Sequence, residues 1–190
     1  MTNAELRHPR NRLAPVQDPY RHMLRDSLLI TLLAFITVVL ATLGKPFMDI
    51  PGVVDGSAHA VRHVNLHLLG SFGTSSVWYG AWTNLFGNIV LFMPFGAAVY
   101  VVGRSLRRVR WGLGGALLAG LALPLGIEAS QYVFSMGFSD IDDVLFDALG
   151  SLLGAVLMAR LNREKQKQIM HRLGFVLGLA VVGLLGAMLL

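Results

Sequence analysis

The sequence predicts an all-α fold, a polytopic membrane helical bundle of about five transmembrane helices. Composition is the first reason. Hydrophobic residues make up 54% of the chain and charged residues 14%, with mean hydropathy +0.60, too apolar for an ordinary soluble domain. Length is the second. Five runs are long and apolar enough to cross hydrocarbon, at 27–44, 85–103, 111–134, 142–159 and 173–190. Charge placement is the third, because the basic residues cluster before and between these runs.

Residues 1–26 carry Pro9, Pro15 and Pro19 among many charges, the composition of an unstructured basic tail. No small-x-small cleavage site follows Gly44, so span 27–44 reads as a retained anchor. Segment 45–84 is too long for a turn. Within it Val54, Ala58, Val61, Val64 and Leu68 fall on one helical face, which predicts a surface helix over 54–69. Gly70 and Gly73 end it, and Trp78, Tyr79 and Trp82 form an interfacial aromatic belt. Short loops tie spans 85–103, 111–134 and 142–159 together. A basic loop, 160–172, leads to the last span, 173–190.

Of 16 Lys and Arg, five precede the first span, four lie in 104–110 and five in 160–172. Only Lys45 and Arg62 lie on the other side. The positive-inside rule then places the N-terminus and both basic loops in the cytoplasm of a multi-pass cell-membrane protein. Segment 45–84, the loop 135–141 and the C-terminus face outward. The net charge of +5 is explained by this asymmetry and by anionic membrane lipid, so no nucleic-acid partner is expected. The chain has no cysteine, which excludes disulfides, thiol nucleophiles and thiolate metal sites.

Against that background the run SDIDDVLFDALGSLLG (139–154) stands out, with four carboxylates opening a membrane span. A charge at a helix centre costs roughly 2.5–3.5 kcal/mol on insertion scales, so intramembrane acids mark sites. Asn84 and Asn88 start the second span, Glu128 and Gln131 end the third, and Asp142, Asp143 and Asp147 open the fourth. Consecutive spans run antiparallel, so all three stripes share one membrane face. Asn88, Glu128 and Asp147 then lie roughly 6–10 Å inside the span ends at 1.5 Å per residue. Spacings of three and four residues stack each stripe on one side of its helix. Gly150 and Gly154 form a G-x-x-x-G pair permitting close helix approach, and Pro94 and Pro124 are expected to kink their helices near the site.

Converging carboxylates and amides suit a hard divalent cation such as Mg²⁺ or Ca²⁺, with Asp142, Asp143 and Glu128 as candidate ligands. Two acids sharing a proton offer acid–base chemistry instead, for which Glu128, Asp143 and Asp147 are the candidates. Asp140 and Asp142 also suit plain helix capping. His59, His63 and His67 recur every four residues; His59 and His63 are a weaker metal pair, since the polar face of an interfacial helix accounts for them. Ser130 and Ser135 lack spaced His and Asp partners for a triad.

The segments NLFGNIVLFMPFG (84–96), IEASQ (127–131) and DIDDVLFDALGSLLG (140–154) resemble the consecutive signatures of the VanZ-like family. Its members are integral membrane proteins whose namesake is linked to teicoplanin resistance. VNLHLLGSF (64–72) is similar to a weaker upstream element. The resemblance places the family's polar positions at Asn84, Asn88, Glu128, Gln131, Asp140, Asp142 and Asp143; together with Asp147 these are the candidate ligand-binding residues. It departs at Asp147, where the family usually has Asn, and at Met136, Gly137 and Phe138, where an Arg is common. The resemblance implies a cell-envelope protein whose outward acidic pocket binds a lipid-linked or cell-wall component or a glycopeptide. A metal-assisted intramembrane enzyme acting on a lipid headgroup or diphosphate is the alternative. A transporter is the weakest reading, because 91–103, 111–123 and 150–159 hold no acidic or basic residue to line an inner path.

Overall fold

The structure is a computed structural model that describes residues 19–48, 62–70, 72, 79–106 and 111–189. Five long helices build it: α1 (Pro19–Leu43), α2 (Gly80–Ser105), α3 (Gly112–Phe134), α4 (Ile141–Ala159) and α5 (Arg163–Ala187). Two short strands, β1 (Arg62–Asn65) and β2 (Gly137–Asp140), complete it. The all-α bundle expected from the sequence is the observed fold. Four helices, α1, α2, α3 and α5, are long and apolar enough to cross a membrane. α4 differs by its three aspartates. At 19 residues it is still roughly 28 Å long, close to the thickness of a hydrocarbon core.

Four of the five helices, all but α3, begin before the apolar run that announces them. α1 opens on Pro19, whose missing N–H costs nothing in a first turn. α5 starts ten residues before 173, at Arg163, where the Asn162 side chain accepts from Lys165 N. The basic residues of 163–172 are therefore helical and not a loop, because a capped polar turn continues into the span. α2 and α3 run unbroken through Pro94 and Pro124.

Small residues set the packing. Gly150 and Gly154 of α4 lie against the backbone of Ile89 and Met93 of α2, so close that a Cβ at either would collide with a carbonyl. The matching four-residue steps show α2 and α4 running parallel. α3 runs against them and touches Ser151 of α4 through Gly120, while Ser151 Oγ donates to Ala116 O at 3.2 Å. α1 and α5 lie side by side and parallel, with Ile30 beside Gly174 and Gly44 beside Met188. The core is Val38 of α1, Phe92, Ala98 and Val101 of α2, and Ala155 of α4, all fully buried. Leu32, Leu118, Leu157 and Val182 point outward, as surfaces solvated by lipid do. Hydroxyls on α1 donate back one turn, Thr37 to Leu33 O and Thr42 to Val38 O, so no bare donor meets hydrocarbon.

The surface helix expected over 54–69 is not what residues 62–69 form. Arg62–Asn65 is a strand pairing in parallel with Gly137–Asp140, Val64 opposite Ser139 and Asn65 opposite Asp140; residues 54–61 lie outside the described residues. The pairing satisfies backbone groups of both segments where they cap the bundle. α3 ends on Ser135 in the left-handed conformation (φ 56°), and Gly137 (φ 140°) turns the chain into β2 through a conformation that favours glycine.

Candidate functional site

The start of α2, the end of α3 and the start of α4 meet at one end of the bundle, beneath the two strands. Asp140 organises the junction. As N-cap of α4 it accepts from Asp142 N at 2.9 Å through Oδ1, and from Asn65 Nδ2 at 3.0 Å through Oδ2. Its own backbone N donates to Glu128 Oε2 at 2.9 Å, and the neighbouring Ser139 Oγ donates to Glu128 O at 2.9 Å. β2 thus ties the end of α3 to the start of α4.

Asp142 is fully buried. Its Oδ1 accepts from Leu69 N at 2.8 Å, which holds the turn after β1 over the acidic cluster; Leu69 takes a left-handed backbone there (φ 56°). Asn84 Nδ2 donates to Asp143 Oδ1 at 2.6 Å, and Asn88, one turn on, also faces Asp143. Asp147 lies one turn deeper on α4, buried, within reach of the charges of Asp143 and Glu128. Lys45, just beyond α1, is the cation acting on both Asp143 and Asp147.

Three buried acceptors have no hydrogen-bond partner among the described residues: Asp142 Oδ2, Asp147 Oδ1 and Gln131 Oε1. Buried acceptors of this kind call for a donor, a proton or a cation. Oxygens of this type are a hard-cation donor set. Among the described residues, however, no three acidic or imidazole side chains converge closely enough to hold a metal ion.

Beside the cluster a groove of about 360 Å³ opens between α3 and α4. Val64, Leu125, Tyr132 and Val144 form its apolar walls, and Glu128 and Asp140 stand along it. An apolar trough with a few placed polar groups is the usual build of a ligand site.

Of the residues expected from the sequence, Asn84, Asn88, Glu128, Asp140, Asp142, Asp143 and Asp147 lie together here. Gln131 is buried beside Gly137, at the edge of the group. His59 lies outside the described residues. His63 sits on β1 opposite Phe138, and the strand removes the helical spacing that would stack it against His67. Asn65, Ser139, Lys45 and the Leu69 amide were missing from the expectation. Asn65 alone had a signal, its place in the upstream element 64–72.

Long apolar helices around a buried acidic end define a multi-pass membrane protein with a polar site at one end of its bundle. Within that class the chain belongs to the VanZ/LLP1 family, whose model matches residues 28–162. It is similar to Protein VanZ of Enterococcus faecium, 26% identical over 106 residues, covering 56% of this chain and 63% of that protein. The chain thus spans less than two thirds of the length of that relative. No solved structure is a significant match.

Proposed function

We propose that this protein acts in the cell envelope, in a role of the glycopeptide-resistance type, by holding a lipid-linked or cell-wall component at its acidic end. The groove beside Glu128 and Asp140 carries this reading. Its apolar walls suit an acyl or prenyl chain, and its acids suit hydroxyl or amine donors of the head. Membrane lipid is the medium from which such a ligand enters sideways. Fourteen of 16 Lys and Arg fall in 1–26, 104–110 and 160–172 of the sequence, an asymmetry that supports an outward-facing site, a cytoplasmic N-terminus and an outer C-terminus.

The test is protection of a teicoplanin-sensitive bacterium expressing the chain. Glu128→Gln and Asp143→Asn are expected to abolish protection with the protein still folded in the membrane. Full protection by both variants would remove the site from the function.

The unpartnered oxygens of Asp142 and Asp147 favour a second reading, a cation-assisted enzyme acting on a lipid headgroup or diphosphate. A divalent cation would then offset the repulsion between acids and phosphate. Mg²⁺ or Ca²⁺ should raise the Tm of the purified protein, and Asp143→Asn should cancel the rise. A Tm indifferent to both ions returns the choice to the first reading.

A further inference from the structure

The groove between α3 and α4 changes character along its length. Nearest the acidic end of the bundle stand Tyr132 and Glu128 of α3, with Ser139 and Asp140 of β2; further in, Leu125 and Val144 form its walls. On α3, Leu125, Glu128 and Tyr132 are spaced three and four residues apart, so they line one helical face in order of depth. At 1.5 Å per residue Glu128 lies roughly 9 Å and Leu125 roughly 14 Å from the end of α3. A polar mouth leading into an apolar trough has the polarity of an amphiphile, with its head outward and its chain inward.

The charge of the mouth bears on which head it takes. Glu128 is held in place, since its Oε2 accepts from Asp140 N at 2.9 Å. The charges acting on Glu128 are those of Asp143 and Asp140, both acids, whereas Lys45 acts on Asp143 and Asp147. No Lys or Arg is among the described residues that line the groove. Behind this wall Asp142 Oδ2 and Asp147 Oδ1 are buried without a hydrogen-bond partner among the described residues, and they add to the negative potential at the mouth. A phosphate or carboxylate head would therefore meet like charge with no cation to offset it. Tyr132, 47% exposed, stands one turn from Glu128 on the same wall. An aromatic ring beside a carboxylate is a combination that holds ammonium groups.

We propose that the groove selects a membrane lipid whose head carries a cationic amine, with the ammonium group at Glu128 and Tyr132 and the hydrocarbon chain along Leu125 and Val144. The inference rests on the ligand-holding role given to this groove above. It narrows the ligand from hydroxyl or amine heads to the charged amine, and it makes Tyr132 a recognition residue.

The experiment compares three amphiphiles with one tail and different heads: dodecylammonium, dodecanol and dodecyl phosphate. Each is titrated at neutral pH into the full chain in dodecyl maltoside micelles, and Tm is read. Dodecylammonium is expected to stabilise the wild type saturably, and the other two at least about tenfold more weakly. Glu128→Gln, which keeps an acceptor for Asp140 N, should weaken dodecylammonium about tenfold. Tyr132→Leu should weaken it about threefold, and Tyr132→Phe, which keeps the ring, by less than about twofold. Glu164→Gln, at an exposed acid in the first turn of α5, should change it by less than about twofold. Equal stabilisation by dodecanol, tighter binding of dodecyl phosphate, equal losses for Glu164→Gln and Glu128→Gln, or no saturable effect of dodecylammonium would overturn the proposal. Its failure is distinct from that of the role it rests on. No dodecylammonium binding alongside protection lost in Glu128→Gln removes the amine and keeps the role, whereas the expected binding pattern alongside full protection by Glu128→Gln keeps the amine site and removes the role.

Discussion

Asp140 and Asp147 sit two turns apart on one helix and carry opposite structural loads. Asp140 accepts from two donors and caps α4, so Asp140→Ala should destabilise the protein by about 1–2 kcal/mol, read from denaturation in micelles, with Asp140→Asn milder. Asp147 leaves one oxygen unpartnered in a buried position, beside Asp143 and Glu128. Asp147→Asn removes a like charge and supplies a donor, so Tm should stay level or rise, by the equivalent of about 1 kcal/mol. A fall in Tm would mean the carboxylate is held by something the side chains around it do not supply. The acids themselves were legible because charge inside an apolar run is conspicuous. Asn65 was legible only through its place in the element 64–72: its partner Asp140 is 75 residues away, and nothing local in the sequence marks that contact.

At the scale of elements, the close approach of α2 and α4 rests on two glycines. Gly154→Val should force the Met93 carbonyl away and cost about 2 kcal/mol or more, seen as loss of folded protein from detergent extracts. Gly178→Ala, where a Cβ meets nothing within 4 Å, should lie within about 0.5 kcal/mol of wild type. The G-x-x-x-G spacing announced this contact, though not its partner. The starts of α1, α2 and α5 were read too late because hydropathy marks only the apolar part, whereas caps such as Asn162 begin the helix in polar sequence. The strand pair escaped for a different reason. Four residues at 62–65 fit a helical face as well as a strand, and only their pairing with 137–140, across two intervening helices, decides between them.

For the molecule as a whole, alternating helix directions put the acidic site and the far end of α5 on one face. The absence of cysteine makes sidedness directly measurable with single substitutions and a membrane-impermeant maleimide. Leu66→Cys and Leu189→Cys, both at exposed positions, should label in intact cells, and Gln168→Cys only after permeabilisation. The reverse pattern would invert the bundle and turn the acidic groove toward the cytoplasm.

The aspartates of α4 also bear on biogenesis. As a nascent segment, α4 alone would meet the lipid with Asp142, Asp143 and Asp147 uncovered. The donors to Asp142 and Asp143, Leu69 N and Asn84 Nδ2, precede α4 in the chain and leave the ribosome first. Lateral release of α4 from the translocon is therefore expected to be cooperative, with the segments already made supplying the polar partners that α4 needs.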